Sequence, residues 1–371
     1  MSISYYEAYI FFNDHGYLGE LSRLLCSFFG NSDYALRGFF ISIHFLSLWL
    51  FYSISKSVLK QEGDAKIALI VFCLLPASGL TALLVAKSGI IEFLTLLFIY
   101  LYKRSLKPLA YMVLIFSTVL DGAFAILFLS LIFFGIFKKD NLLIATNLIL
   151  FGISMTMFGF DTGGKPQGYF LDTFGIYMLI FSPLVFLYFI FALYKIPRDE
   201  RPIGWYISFW ALTFSLLLSF RQKIMIYDFA PFVVIAVPFM LKTFFSSYRV
   251  RIGKNKRTYN FMFALAFSSL AIIFVLSYLN RPLYIFFKDS SKHFAYNYQV
   301  AKDLANELQK EGINDCQTLD REMALRLKFY GINEGNDYLI GQKPLKNSKK
   351  VSIRYSNVEV ATFYVTKINT F

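Results

Sequence analysis

The chain has little of what most cofactor chemistry requires. Its 371 residues hold three cysteines and three histidines, and 24 carboxylates stand against 37 lysines and arginines. Cys26, Cys73 and Cys316 lie far apart and match no metal-ligand spacing. No internal repeat is evident, which counts against inverted-repeat transporters. Residues 1–34 lack the continuous apolar core of a cleavable signal peptide. Acids are scarce where the chain is apolar: just over half of them fall in residues 1–284. Only Glu92 sits well within an apolar run, with Asp121 and Asp228 at the edges of others. The formal charge of +13 raises the question of nucleic acid. Its distribution argues against such a partner, because most basic residues occupy short loops between apolar runs, where the positive-inside bias of membrane proteins puts them.

What is abundant is apolar and aromatic. Hydrophobic residues make up 57% of the chain and aromatics 19%, where a soluble domain has about 45–50% apolar residues. Repeated apolar runs of about 18 residues or more mark transmembrane helices, so the sequence reads as an α-helical polytopic membrane protein. Apolar segments fall at roughly 36–55, 66–86, 89–102, 108–120, 122–137, 142–159, 173–194, 203–220, 225–245 and 259–279. Five basic clusters punctuate them: Lys56 to Lys66; Lys103, Arg104 and Lys107; Lys138 and Lys139; Lys195 to Arg201; and Arg249 to Arg257. Placing all five in the cytoplasm requires Pro108 to Phe137 to be a hairpin of two short helices, turning at Asp121-Gly122, where an acid followed by glycine is good turn chemistry. About ten transmembrane segments result. Residues 1–34, Lys87-Ser88, Asp121, the loop from Asp161 to Asp172, the turn Arg221-Gln222-Lys223 and everything after Arg281 then face outward.

Three regions are expected: an amphipathic outer-face loop (1–34), a transmembrane domain (35–280) and a small C-terminal α/β soluble domain (281–371). In the last, residues 294–311 have helical periodicity, with Val300, Leu304 and Leu308 on one face. Asp320 is placed to cap a second helix through Met323, Leu325 and Leu327. Val351 to Tyr355 and Val358 to Val365 alternate like strands, with a turn at Ser356-Asn357. The tail carries neither a Gly-rich phosphate loop nor a metal cluster.

Few side chains invite a chemical reading. Glu7 lies in an aromatic stretch, Ser4-Tyr5-Tyr6-Glu7-Ala8-Tyr9, and is either a functional acid or a solvated one. Glu92, an ionisable residue at membrane depth, is a functional candidate, or it sits one turn inside the interface. Arg221 and Lys223 break the positive-inside bias, through function or by snorkelling. His15 reads as interfacial and His44 as packing. Asp161 and Lys165 belong to a loop that either contacts an acceptor or simply connects. An enzyme on the outer face has no nucleotide sugar at hand and draws an activated donor from the bilayer. A lipid-linked phosphosugar fits. Its transfer needs a carboxylate to deprotonate the acceptor hydroxyl, cations for the departing phosphate and an apolar groove for the prenyl chain. Glu7 can supply the first, and Arg221, Lys223, Lys87 or Arg37 the second.

Tyr6-Glu7-Ala8-Tyr9, followed by Phe29-Gly30-Asn31-Ser32-Asp33-Tyr34-Ala35-Leu36-Arg37, resembles the first outer loop of the GT-C membrane glycosyltransferases. The most similar branch is that of protein mannosyltransferases and aminoarabinose transferases. Arg221-Gln222-Lys223 through Tyr227 to Pro231 is similar to the basic-aromatic-proline stretch that meets the lipid phosphate in that family. The resemblance implies sugar transfer from a polyprenyl-phosphate donor to a lipid, glycan or protein acceptor, at the outer face of the cytoplasmic (inner) membrane. It implies Glu7 as base or as ligand to a divalent metal; the family's second acid is either missing here or moved by a turn to Glu92, which stands as the second catalytic candidate. Arg221, Lys223, Lys87, Arg37 and Tyr227 would face the donor phosphate. The chain departs from the pattern at three points. The family has a helix ahead of the acidic loop, so an apolar helix encoded upstream of Met1 would restore its arrangement. The acid expected in the turn after the second apolar segment is replaced by Lys87-Ser88-Gly89, with Glu92 a turn later, and the basic residue expected at the hairpin tip is Asp121. Two rival readings stay open: an O-antigen-type polymerase or ligase, and a non-catalytic membrane protein of surface-glycan assembly.

Overall fold

The computed structural model describes residues 2–159, 168–279, 281–286, 293, 295–345, 348–355 and 358–368. Helix dominates, beside one four-stranded sheet. The chain divides into two compact units, Met1–Phe39 with Val275–Phe371, and Phe40–Phe274. The first 34 residues, expected as a region of their own, therefore share a unit with the C-terminal domain.

That unit opens with α1 (Tyr5–Asn13) and α2 (Tyr17–Phe29). Ser4 and Glu7 form a capping box: the Ser4 hydroxyl accepts from the Glu7 amide at 3.2 Å, and the Glu7 carboxylate accepts from the Ser4 amide at 2.9 Å. Two orphan donors at the helix start are satisfied in this way. Where α2 crosses α1 only glycine fits, since a Cβ on Gly19 would stand 2.1 Å from the Asp14 carbonyl oxygen. Next comes α3 (Asp33–Val58), which carries Asp33 and Arg37 in its opening turns.

In the second unit follow α4 (Glu62–Leu74), α5 (Pro76–Leu83), α6 (Lys87–Lys103), α7 (Lys107–Leu120), α8 (Phe124–Lys138), α9 (Asn141–Phe158), α10 (Phe170–Phe181), α11 (Pro183–Lys195), α12 (Ile203–Ser219), α13 (Ala230–Val233), α14 (Val237–Arg249) and α15 (Lys254–Tyr278). The ten apolar segments are all helical, but fewer are spans by length and composition. Among the described residues four helices are long and apolar enough to cross a membrane: Asp33–Val58, Asn141–Phe158, Ala230–Arg249 and Asn255–Tyr278. Two bent pairs, α4–α5 and α10–α11, raise that to six if each counts as one. Prolines explain the bent pairs. Pro76 and Pro183 each begin a new helix, and at Ser182, whose φ is +64°, α10 and α11 meet at 102°. The remaining segments are short: α6 and α12 have 17 residues, α7 has 14 and α8 has 15, below the ~20 that span a bilayer. The expected hairpin is present as α7 and α8, turning at Asp121-Gly122.

The first unit resumes with α16 (Val300–Lys310), β1 (Gln317–Thr318), α17 (Arg321–Phe329), β2 (Tyr338–Gly341), β3 (Lys349–Tyr355) and β4 (Val358–Lys367). Asp320 caps α17, its carboxylate accepting from the Glu322 amide at 2.9 Å. Strand order is β1-β2-β4-β3, with β1 parallel to β2 and the other pairs antiparallel. Val300, Leu304 and Leu308 are fully buried in the same core as Ile340, Val351, Ile353, Phe363 and Val365. The expected turn at Ser356-Asn357 lies outside the described residues.

Candidate functional site

Three turns of the second unit bring charges together. Lys87 opens α6, Asp121 follows α7, and Asp228 ends the short 3-10 turn Ile226–Asp228 ahead of α13. Lys87 Nζ lies 2.7 Å from Asp228 Oδ1 and 3.2 Å from Asp121 Oδ2, and 5.4 Å from the centre of the Tyr227 ring. Asp121 holds the hairpin turn as well, its Oδ1 accepting from the Ala123 amide at 2.8 Å. Gly122 keeps that turn against α9, because a Cβ there would stand 3.0 Å from Phe158 Cβ.

The cluster is partly open. The side chains of Lys87, Asp121 and Asp228 are 23%, 14% and 24% exposed. Two carboxylates share one ammonium, so one formal negative charge is left over. Upstream on the segment that ends in Asp228, Arg221 and Lys223 are exposed, and among the described residues neither makes an ion pair. A carboxylate with spare lone pairs, an ammonium that orients it and open cations nearby in sequence can together take a proton from a hydroxyl and meet an anionic leaving group.

The first unit holds a second charged cluster of different character. Arg37 grips Glu7 with two parallel bonds, Nε to Oε1 at 3.1 Å and Nη2 to Oε2 at 2.8 Å, the strong bidentate form of this pair. The Ser4 hydroxyl adds a bond to Oε2 at 3.0 Å, and Arg37 Nη2 donates to the Ser2 carbonyl at 3.1 Å. Glu7 is 1% exposed and Arg37 6%. Around them the extended residues Ser2 and Ile3 are tied to the C-terminal domain. The Ser2 amide donates to the Tyr298 carbonyl, the Ile3 amide to the Tyr330 hydroxyl, and Arg326 Nε to the Ile3 carbonyl, at 2.7, 2.7 and 3.0 Å. The Tyr330 hydroxyl donates in turn to Asp33 at 2.6 Å, and Lys302 pairs with the same carboxylate. Burial, and then the bond to Asp33, raises the Tyr330 phenol above its usual range, while burial lowers the Arg326 guanidinium.

The candidate residues thus part company. Glu7 is enclosed as a helix cap and ion-pair partner, a geometry that suits support of the fold and not proton transfer with a substrate. With its oxygens engaged by Ser4 and Arg37, Glu7 does not fit a divalent metal. Among the described residues no group of three or more His, Cys, Asp and Glu is placed to hold one. Arg37, expected to face the donor phosphate, is committed to Glu7, and Lys87, given the same role, to Asp121 and Asp228. Tyr227 is 39% exposed beside Lys87. Glu92 lies one and a half turns along α6 from Lys87, 1% exposed, with neither oxygen hydrogen-bonded among the described residues. Asp161 and Lys165 lie outside the described residues. The sequence marked Asp121 as the tip of a hairpin and Asp228 only as an acid at the edge of an apolar run. Asp33, Tyr298, Lys302, Arg326 and Tyr330 gave no signal, since nothing in one sequence links residue 33 to residue 330.

Fold and site together define a class: a helical protein with four to six helices or bent pairs apolar enough to span a membrane, and a small α/β domain. No family model matches the chain, nor does any curated protein or solved structure.

Proposed function

We propose that the chain is an integral-membrane transferase that moves a sugar from a polyprenyl-phosphate donor to a lipid, glycan or protein acceptor, at the outer face of the cytoplasmic membrane. The observation that carries the reading is the Lys87–Asp121–Asp228 cluster, built where three apolar segments end and left partly open. The resemblance of residues 6–9, 29–37 and 221–231 to the GT-C transferases supports it. Asp121 is engaged in its turn, so Asp228 is the base. Its carboxylate takes the proton of the acceptor hydroxyl, whose oxygen attacks the anomeric carbon. The bond from that carbon to the lipid phosphate breaks with inversion, and the released phosphate is met by Arg221 and Lys223. Lys87 holds Asp228 in place, and the exposed Tyr227 ring offers a face for the sugar.

The test is single-turnover transfer by the purified chain with a set of polyprenyl-phosphate sugars, beside direct donor binding. Asp228→Asn is expected to lower the rate by about 10²–10⁴-fold with donor affinity kept. Transfer at the parental rate would remove Asp228 from the mechanism. The enclosure of Glu7, the acid that the resemblance puts at the centre of the chemistry, favours a second reading, a non-catalytic donor-binding protein. Donor binding without transfer for any donor would select it.

A further inference from the structure

The last apolar helix of the second unit is loosely held: only 6% of the apolar window in Asn255–Tyr278 is buried. Where α15 faces α11 and α14 there is a cavity of about 380 Å³, walled by Leu187, Tyr188, Phe191, Phe244, Met262 and Phe263 among others, with no charged side chain in its lining. At roughly 30 Å³ per methylene-sized group, which is a water's share of the liquid, the space takes about a dozen methylenes, the bulk of one fatty-acyl chain. One end is cationic. Tyr259 lines the cavity, and the Arg251 guanidinium stands 4.0 Å from the centre of its ring. Lys195 Nζ is 5.3 Å from the Phe191 ring centre, and Lys256 Nζ is 5.2 Å from that of Tyr248, whose ring stacks on Phe244. Arg249 is committed to Asp64, Lys242 to Glu200, and Lys195 donates to Ser247. Arg251 and Lys256 make no ion pair among the described residues. In the lining, the Tyr188 hydroxyl is buried and without a hydrogen-bond partner among the described residues.

We propose that this groove holds one acyl chain of an anionic phospholipid, with the phosphate between Arg251 and Lys256 and an ester oxygen accepting from the Tyr188 hydroxyl. Apolar walls, unneutralised cations at one end and an unsatisfied donor along the way match the three parts of that molecule, and basic pockets between membrane helices are a general means of holding anionic headgroups. The proposal does not depend on the transferase reading.

The full chain, reconstituted in nanodiscs of equal phosphatidylglycerol and phosphatidylcholine, is released and its retained lipid identified by native mass spectrometry. Phosphatidylglycerol is expected to be retained in preference, about one per chain. Arg251→Gln with Lys256→Gln should lower that preference about 25-fold, at about 5-fold per basic side chain. Ala266→Phe, which fills the groove and leaves the cations, should lower retention of both lipids. Should that variant not fold, Tyr188→Phe removes the hydroxyl alone and should lower phosphatidylglycerol retention several-fold. Equal retention of the two lipids overturns the proposal, as does unchanged retention in the variants. Displacement of the phospholipid by added polyprenyl phosphate, or a second copy of the chain held in its place, overturns it too.

Discussion

Two clusters pair carboxylates with cations in this chain, and they differ in how fully each is satisfied. In the first unit Glu7 and Arg37 are almost wholly enclosed, with matched charges and a bond for each Glu7 oxygen. In the second unit Lys87 serves two aspartates, all three side chains reach solvent, and the charges do not balance. A complete buried pair fixes a conformation, and removing either partner strands the other. An incomplete one keeps capacity for a ligand. The order of the residues around Glu7 gives the acid's part to the first cluster, whereas the reading proposed above gives it to the second.

The comparison breaks most readily at Arg37. Arg37→Ala leaves the Glu7 carboxylate buried and unpaired, and should cost about 3–5 kcal/mol of stability, read from chemical unfolding of the first unit. Glu7→Gln should likewise lower stability while transfer per folded molecule holds. A transfer rate that falls with stability intact would give the base role back to Glu7.

Next in size is Tyr330→Phe, which deletes the hydroxyl between the Ile3 amide and Asp33. A loss of about 1–3 kcal/mol is expected, the cost of leaving such buried groups unsatisfied. The phenol is raised in the folded state. Its contribution is therefore complete below the unfolded value near pH ~10 and is lost as pH rises through the higher folded value. Unfolding midpoints across that alkaline range should fall for the parent and fall less steeply for Tyr330→Phe.

Lys87→Gln sharpens the contrast from the other side. Two aspartates would then face each other without their cation, but solvent reaches both. The expected loss is about 1 kcal/mol, discounted for screening and clearly below that of Arg37→Ala. An equal loss would mean that the Lys87 cluster is structural in the same sense. Smallest in stability are Arg221→Ala and Lys223→Ala, exposed residues whose melting points should match the parent. Their signature is a several-fold weaker donor affinity with a reduced dependence on salt, and unchanged binding would exclude them from the site.

Much of this architecture was legible in one sequence because it rests on local signals. Apolar periodicity gave the helices, Asp121-Gly122 the hairpin, Asp320 its cap, and alternation over 351–365 the two longer strands. Span count was overestimated because the apolar segments that form α6, α7, α8 and α12 were each counted as a span, although these helices have only 14 to 17 residues. The brief strands β1 and β2 carry too few residues to alternate visibly. The clusters were only half legible. Lys87, Asp121 and Asp228 were each visible as unusual charges, but their convergence depends on tertiary packing. Glu7 and Arg37 were both picked out, and what stayed hidden was their pairing across thirty residues, reinforced by a domain almost three hundred residues away.

That last feature bears on the order of events during synthesis. Ile3 and Tyr330 are 327 residues apart along the chain. At elongation rates of about 5–20 residues per second, the amino-terminal residues wait roughly 15–65 s for the carboxy-terminal domain that receives them. Throughout that interval the Glu7–Arg37 pair has α1 and α3 but lacks its cover from Tyr298, Arg326 and Tyr330. The first unit is thus the last to close, and a ribosome stalled before residue 330 leaves Ser2 and Ile3 without these partners, open to proteolysis until elongation resumes.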